Sequence, residues 1–133
     1  MNSSAVISYI LTHKHFQKCF PGWDRAQITQ LVCNHCIDEE IAVTTEHGEI
    51  TGVILYSKRP ENAELFVVGI LTSNHKALPV LVEQWEKQLP GWRVVAHRRG
   101  EKVHYNITQF TRFLKRAAKT VNSLRYADYF RTA

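Results

Sequence analysis

The run Leu65-Phe66-Val67-Val68-Gly69-Ile70-Leu71 is apolar at every position rather than at alternate positions. A strand that faces water on one side alternates apolar and polar residues, whereas a strand that is covered on both sides does not. This run therefore predicts a strand in the centre of a sheet. A chain that contains such a strand must supply elements that pack above and below it.

Polar, turn-forming stretches separate this run from other strand-like runs. The predicted strands, in chain order, cover residues 41–45, 50–56, 65–71, 92–97 and 102–105. Short turns between consecutive strand-like runs are typical of antiparallel neighbours, so the first three form a predicted meander. The last two flank the turn Arg98-Arg99-Gly100-Glu101.

Apolar residues that recur about every 3.6 positions predict four helices. The first helix ends at Pro21-Gly22, the second is capped by Asp24, the third runs from about His75 to Leu89, and the last follows Asn106. This order of elements predicts an α+β fold over residues 1–133, as a single domain. Its sheet is expected to be mixed and mostly antiparallel, with helices on both faces.

Basic residues are concentrated in the C-terminal third of the chain. Residues 90–133 carry ten Lys and Arg against Glu101 and Asp128, a net charge of +8, whereas residues 1–89 have a net charge of −3. A surface with this excess attracts an anionic partner, and a coenzyme, a nucleic acid and an acidic protein surface all remain open. The basic helical segment at about 107–133 is part of this region.

Aromatic residues are interleaved with these basic residues, a mixture found in grooves that bind single-stranded nucleic acids. The candidate nucleic-acid-binding residues are Arg98, Arg99, Lys102, Arg112, Lys115, Arg116 and Lys119. The simpler alternative is a solvated helix with a basic outer face.

The cysteine content and the start of the chain bear on its compartment. Three cysteines, an odd number, disfavour a disulfide framework and favour a reducing environment. The apolar stretch 4–11 is too short to span a bilayer and lacks the basic lead of a secretory signal. We therefore expect a cytoplasmic protein without membrane association, while the oligomeric state is left open.

Cys33-Asn34-His35-Cys36 has the C-x-x-C spacing that occurs in metal sites. Cys36, however, also belongs to the apolar stripe of its helix, where a free cysteine behaves as a small hydrophobic residue. A second pair of ligands at the usual spacing is lacking. We therefore predict no metal site.

The order of elements from residue 41 to about 118 resembles that of the GCN5-related N-acetyltransferases (GNAT). In this family a central strand leads into a loop and helix that bind the pyrophosphate of acetyl-CoA, followed by a splayed parallel strand and a helix that begins near an Asn. The resemblance rests on this order and on two stretches, His75-Lys76-Ala77-Leu78 and the segment from Asn106 onward. It implies acetyl-CoA or another acyl-CoA as cofactor, with candidate contacts at Ile70, Leu71, Ser73, Asn74, His75, Lys76 and Asn106.

The cofactor loop departs from the family pattern. Matching Lys76-Ala77-Leu78 to the family's Lys-Ala-Leu puts Ile70, Ser73 and His75 where the family has Arg or Gln, Gly, and Gly or Ala. Side chains at the two last positions crowd the approach that glycine leaves open to a phosphate. The Tyr that often protonates the leaving thiolate is replaced by Phe113, and a phenyl ring cannot act as an acid.

Two interpretations of these departures remain. The chain is either an acyl-CoA-dependent N-acyltransferase that uses Tyr105 as acid and Glu64 or His104 as base, or a GNAT-like protein that kept the fold without the chemistry. We favour the second, in which the protein acts by binding and no cofactor is assured. Its size and basic tail are similar to those of small GNAT-like proteins of tailed bacteriophages, some of them virion-associated. The resemblance thus implies a phage-encoded protein located in the host cytoplasm or the virion and acting there or on the host.

Overall fold

The computed structural model describes residues 2–74, 76–98 and 101–112, with the backbone alone described at 96–98 and 101–105. The α+β class is confirmed. The helices are α1 (Ser3–Thr12), α2 (Phe16–Cys19), α3 (Arg25–Ile37) and α4 (Ala77–Gln88), and residues 107–112 are also helical and are called α5. The strands are β1 (Ile41–Glu46), β2 (Glu49–Arg59), β3 (Glu64–Thr72), β4 (Arg93–Arg98) and β5 (Glu101–Asn106). Across the described ranges, no helix is both long and apolar enough to cross a membrane.

The strands form one mixed sheet in the order β1-β2-β3-β4-β5. The pairs β1–β2, β2–β3 and β4–β5 are antiparallel, and β3–β4 is parallel. The apolar run at 65–71 lies in β3, the middle strand, as predicted. Parallel neighbours need a crossover connection, and α4 supplies it between β3 and β4.

The parallel pairing of β3 with β4 is short. It consists of Glu64 with Arg93, Leu65 with Val94 and Phe66 with Val95, and we call these three pairs the seam. Beyond the seam, β3 continues to Thr72 and β4 to Arg98 with no further pairing between their described backbones. The two strands therefore diverge toward their C-terminal ends.

One face of the sheet is covered by α4 and the start of α5. Trp85 is fully buried there, and its ring centroid lies 5.6 Å from that of Tyr56 and 5.8 Å from that of Phe110. Leu78, Leu81, Val82 and Trp85, which recur at helical spacing in the sequence, are the residues that α4 buries against the sheet, together with Ala77. This cluster, called the α4 core, comprises Ala42, Ile54, Tyr56, Leu65, Val67, Ile70, Leu78, Leu81, Val82, Trp85, Val94, Ile107 and Phe110.

The other face is covered by α1, α2 and α3, so helices lie on both faces as predicted. α2 comes very close to β3 at Gly69, where an added Cβ would lie 3.2 Å from the Sγ of Cys19 and 3.2 Å from the ring of Phe20. This second cluster, called the α1–α3 core, comprises Val6, Ile7, Ile10, Cys19, Phe20, Ile28, Val32, Ile41, Val53, Leu55 and Leu71.

The first predicted helix is wrong in one respect, because the structure divides it into α1 and α2. His13 leaves the helical conformation, with φ −67° and ψ 135°. Its Nε2 lies 2.7 Å from the carbonyl oxygen of Thr72, and its Nδ1 lies 3.0 Å from the backbone nitrogen of His15. A tertiary contact to β3 thus ends α1, and the spacing of apolar residues carries no sign of it.

The cap predicted for the second helix is confirmed. Asp24 Oδ1 accepts the backbone N–H of Gln27 at 2.8 Å, and Gln27 Oε1 accepts the backbone N–H of Asp24 at 2.9 Å. This reciprocal pair is a capping box, which satisfies two donors at the start of α3.

Candidate functional site

The loop between β3 and α4 contains most of the predicted cofactor contacts. The backbone N–H of Ser73 donates to the carbonyl oxygen of Thr51 at 2.9 Å. The hydroxyl oxygen of Ser73 lies 2.9 Å from that of Tyr9, on α1. The backbone N–H and the hydroxyl of Ser73 therefore both have partners within the protein.

The first turn of α4 is bonded internally in the same way. Asn74 Oδ1 accepts the backbone N–H groups of Lys76 at 2.9 Å and Ala77 at 3.0 Å. Pro79, the third residue of α4, has no N–H group. A phosphate at a helix N-terminus is held by N–H groups that have no partner inside the helix. The side chain of Asn74 occupies the position of such a ligand.

His13 fixes the end of α1 to the end of β3. Its Nδ1 accepts the N–H of His15, so in the neutral ring the hydrogen is on Nε2, which donates to the carbonyl of Thr72. Burial and the nearby charge of Lys14 lower the pKa of His13, against an opposing effect of the bond to Thr72. A neutral imidazole thus connects α1 to the residue that precedes the loop.

Glu64, a candidate base, lies far from this loop. It begins β3 and the loop follows the last residue of β3, a nine-residue strand, which corresponds to about 26 Å at ~3.3 Å per residue. Its carboxylate lies 3.5 Å from the guanidinium of Arg93, and its side chain is 12% exposed. The carboxylate therefore faces a charged partner on β4 and not the loop.

Asn106, the last candidate cofactor contact, lies at the same end of the sheet as Glu64. It pairs with Arg93, which in turn pairs with Glu64, because β5 runs back along β4. Its Oδ1 accepts the backbone N–H of Gln109 at 2.7 Å, and Gln109 Oε1 accepts the backbone N–H of Asn106 at 3.3 Å. Asn106 therefore caps α5, and the structure does not bring it together with Ser73, Asn74 and Lys76.

The remaining predicted residues are distributed as follows. Ile70 and Leu71 are buried in the α4 core and the α1–α3 core, so their side chains face away from any ligand in the loop. His104 and Tyr105 pair with Val95 and Val94 through their backbones. Arg112 is exposed on α5, and Arg98 and Lys102 are described as backbone only. Outside the described residues lie His75, Arg99, Phe113, Lys115, Arg116 and Lys119.

A metal site was not predicted from the C-x-x-C spacing. Within the part of the chain that the structure describes, no group of three His, Cys, Asp or Glu side chains could hold a metal ion. Cys33 and Cys36 are both half-buried thiols. Burial, together with the neighbouring Cys33, raises the pKa of Cys36, which favours its protonated form.

Sequence reasoning missed a cavity at the start of β1. Its volume is about 430 Å³, and it is lined by Cys36, Glu39, Ile41, Tyr56 and Gln88. These residues belong to or follow four different elements, so no local motif identifies them. The C-x-x-C spacing did single out one of them, Cys36, although for different chemistry.

No family model, curated protein or solved structure matches this chain. The GNAT-like order of elements therefore stays a prediction. The fold itself is α+β, with one mixed sheet and helices on both faces.

Proposed function

We propose that this protein is a non-catalytic, GNAT-like protein that acts by binding an anionic partner through its basic C-terminal third. One observation supports the proposed loss of catalysis. In the loop that would hold the coenzyme, the N–H of Ser73 donates to Thr51 and the N–H groups of Lys76 and Ala77 donate to Asn74. Donors that already have acceptors are not free to bind a pyrophosphate.

The two hydrogen bonds to Asn74 oppose the binding of a phosphate at the start of α4. A coenzyme phosphate would have to displace the carboxamide oxygen, losing two hydrogen bonds of about 1 kcal/mol each. The corresponding loss of roughly 2 kcal/mol weakens binding by about thirtyfold. Pro79 adds no donor to compensate, and the loop has no glycine among its described residues.

The positions of the candidate catalytic groups support the same proposal. Acid–base catalysis needs the proton-transferring groups within hydrogen-bond reach of the reacting atoms. Glu64, the first residue of β3, lies at one end of that strand, and Tyr105 and His104 pair with the β4 residues that pair with Leu65 and Phe66, whereas Ser73 and Asn74 follow the other end of β3. The carboxylate of Glu64 also has a partner already, since it lies 3.5 Å from the guanidinium of Arg93.

The binding part of the proposal rests on charge. The net charge of +8 over residues 90–133 contrasts with −3 over the rest of the chain. Such a separation of charge steers an anionic molecule toward one part of the surface, and its effect decreases as salt rises.

Ligand-dependent melting tests both parts. A ligand that binds the folded state raises the melting temperature. We expect no saturable rise with acetyl-CoA or coenzyme A, and a rise with a single-stranded oligonucleotide or a polyglutamate peptide that disappears as salt increases. Saturable stabilisation by acetyl-CoA would overturn the proposed loss of catalysis. No rise in melting temperature with either polyanion would overturn the proposal of an anionic partner.

A variant sharpens the first part. Asn74→Gly frees the N–H groups of Lys76 and Ala77 and should give the loop a measurable affinity for coenzyme A. Asn62→Gly, at an exposed position in the turn Pro60–Asn62, is the matched control and should not. Because the loss of a cap itself destabilises the fold, the ligand-induced shift is compared within each variant.

A further inference from the structure

The cavity at the start of β1 lies where two helices on opposite faces of the sheet both end. Cys36 is in the last turn of α3 and Glu39 follows its end, while Gln88 is the last residue of α4. Ile41 and Tyr56, from β1 and β2, lie between them. The volume of about 430 Å³ falls within the range of small-molecule sites.

The cavity has an apolar floor and a polar rim. Tyr56 is 3% exposed and Ile41 is 9% exposed, whereas Glu39 and Gln88 are exposed, so the cavity opens to solvent on their side. The Tyr56 hydroxyl lies 3.5 Å from the carbonyl oxygen of Glu39. A ligand that fits these walls has a hydrocarbon part and one polar end.

The backbone holds the rim carboxylate in place. Glu39 has a left-handed conformation with φ 56°, and its N–H donates to the carbonyl of Cys36. The next N–H, of Glu40, donates to the carbonyl of His35 at 2.8 Å. This closed helix end fixes where the Glu39 side chain leaves the main chain.

The surroundings of the cavity are negative, although the chain has a net charge of +5. Each helix C-terminus carries roughly half a negative charge, and two of them meet here. Asp38 and Glu40 flank the rim residue Glu39, and no Lys or Arg is among the described residues that line the cavity. Burial and the charges of Glu40 and Glu39 raise the pKa of Tyr56, in keeping with this negative field.

We propose that this cavity binds a small primary amine in its ammonium form. The hydrocarbon part packs on Ile41 and the Tyr56 ring, and the ammonium group donates to the carboxylate of Glu39 and the amide oxygen of Gln88. A phosphate or carboxylate ligand is disfavoured by the sign of the field. The cavity lies toward the Tyr56 end of β2, whereas the β3–α4 loop follows Thr72, which pairs with Gly52. The proposal therefore does not depend on whether the β3–α4 loop binds a coenzyme.

Two probes of equal shape test the charge requirement. Phenethylamine and the neutral 2-phenylethanol are titrated into the full chain, and binding is followed by calorimetry and by amide chemical shifts. We expect the amine to bind saturably, with shifts at residues 36–41, 56 and 88, and the alcohol to bind about tenfold more weakly. Equal binding of the two, or no saturable binding of the amine, would overturn the proposal.

A pair of substitutions tests the residue assignment. Glu39→Gln removes the rim charge at constant size and should weaken amine binding by about five- to tenfold. Glu46→Gln makes the same charge change at the other end of β1 and should leave the affinity unchanged. Equal affinities in the two variants would refute the role of Glu39.

Cysteine alkylation supplies a readout that needs no substitution. Cys36 lines the cavity, and Cys33, one turn earlier on α3, does not. Saturating phenethylamine should slow the alkylation of Cys36 and leave that of Cys33 unchanged, as measured by peptide mass spectrometry. Unchanged or equally reduced rates would place the ligand outside the cavity and contradict the proposal.

Discussion

The two faces of the sheet are closed in different ways. The α4 core depends on one 12-residue helix and on three aromatic rings in contact, those of Tyr56, Trp85 and Phe110. The α1–α3 core is covered by helices of 10, 4 and 13 residues and is mostly aliphatic. One face thus concentrates its packing in a single large side chain, and the other distributes it over several segments. Single substitutions should therefore affect the two faces unequally.

The largest difference in stability loss is expected between substitutions of two tryptophans, Trp85 and Trp23. Trp85→Ala should lower the free energy of unfolding by about 3–5 kcal/mol, because it removes a fully buried ring and leaves a cavity. Trp23 precedes α3 and is 36% exposed, so Trp23→Ala should lower the free energy of unfolding by less than about 1 kcal/mol. Urea unfolding measures both, and equal losses would contradict the comparison.

Trp85 offers a second, finer variant. Its indole Nε1 is buried without a hydrogen-bond partner among the described residues. Trp85→Phe removes this unpaired donor along with part of the ring, so the gain from removing the donor offsets part of the packing loss.

An intermediate difference in stability loss is expected at two glycines, Gly69 and Gly52, where the covering helices pack closely against the sheet. Gly69→Ala places a Cβ 3.2 Å from the Sγ of Cys19 and from the ring of Phe20, and should cost about 1–3 kcal/mol by forcing α2 away from β3. Gly52→Ala meets the flexible end of Leu81 at 3.2 Å and should cost less. Adding Cys19→Ala should recover part of the Gly69→Ala loss. The absence of recovery in thermal unfolding would show that α2 does not press on Gly69.

The smallest difference concerns pH and belongs to the α1–α3 face. Burial lowers the pKa of His13 below its usual value of 6.5, so between the folded value and 6.5 the unfolded chain binds more protons than the folded one. The stability linked to His13 is therefore complete above about pH 6.5 and is lost as the pH falls toward the folded pKa. His13→Gln should flatten this part of the stability profile, measured by urea unfolding from pH 7.5 to 5. His47→Gln, on an exposed turn with a 92% exposed side chain, is the control.

Much of the fold followed from local patterns. The uninterrupted apolar run at 65–71 placed β3 in the middle of the sheet, and the predicted cap Asp24 begins α3. The inward side chains of α4 followed from helical spacing. These features depend on neighbours in the chain, which is why sequence alone could predict them.

Other features depend on contacts between distant segments. The break between α1 and α2 comes from the bond between His13 and Thr72, 59 positions apart. Asn106 was assigned to a coenzyme, but the hairpin of β4 and β5 carries it to the opposite end of the sheet from the loop. The cavity at Glu39 and Tyr56 combines the ends of two helices. The spacing of residues along the chain does not predict such contacts between distant segments.

Among the described residues, three paired positions join the two pieces of the sheet that meet at the seam, β1–β3 and β4–β5. Side chains maintain the connection, since Leu65 and Val94 belong to the same cluster as Trp85 and Phe110. Amide hydrogens of a protein exchange in groups that open together, and the boundaries of these groups follow the weakest lines of the structure. We therefore expect the amides of β4 and β5 to exchange as a group of their own, with side-chain packing contributing to the connection beside the short hydrogen-bonded ladder.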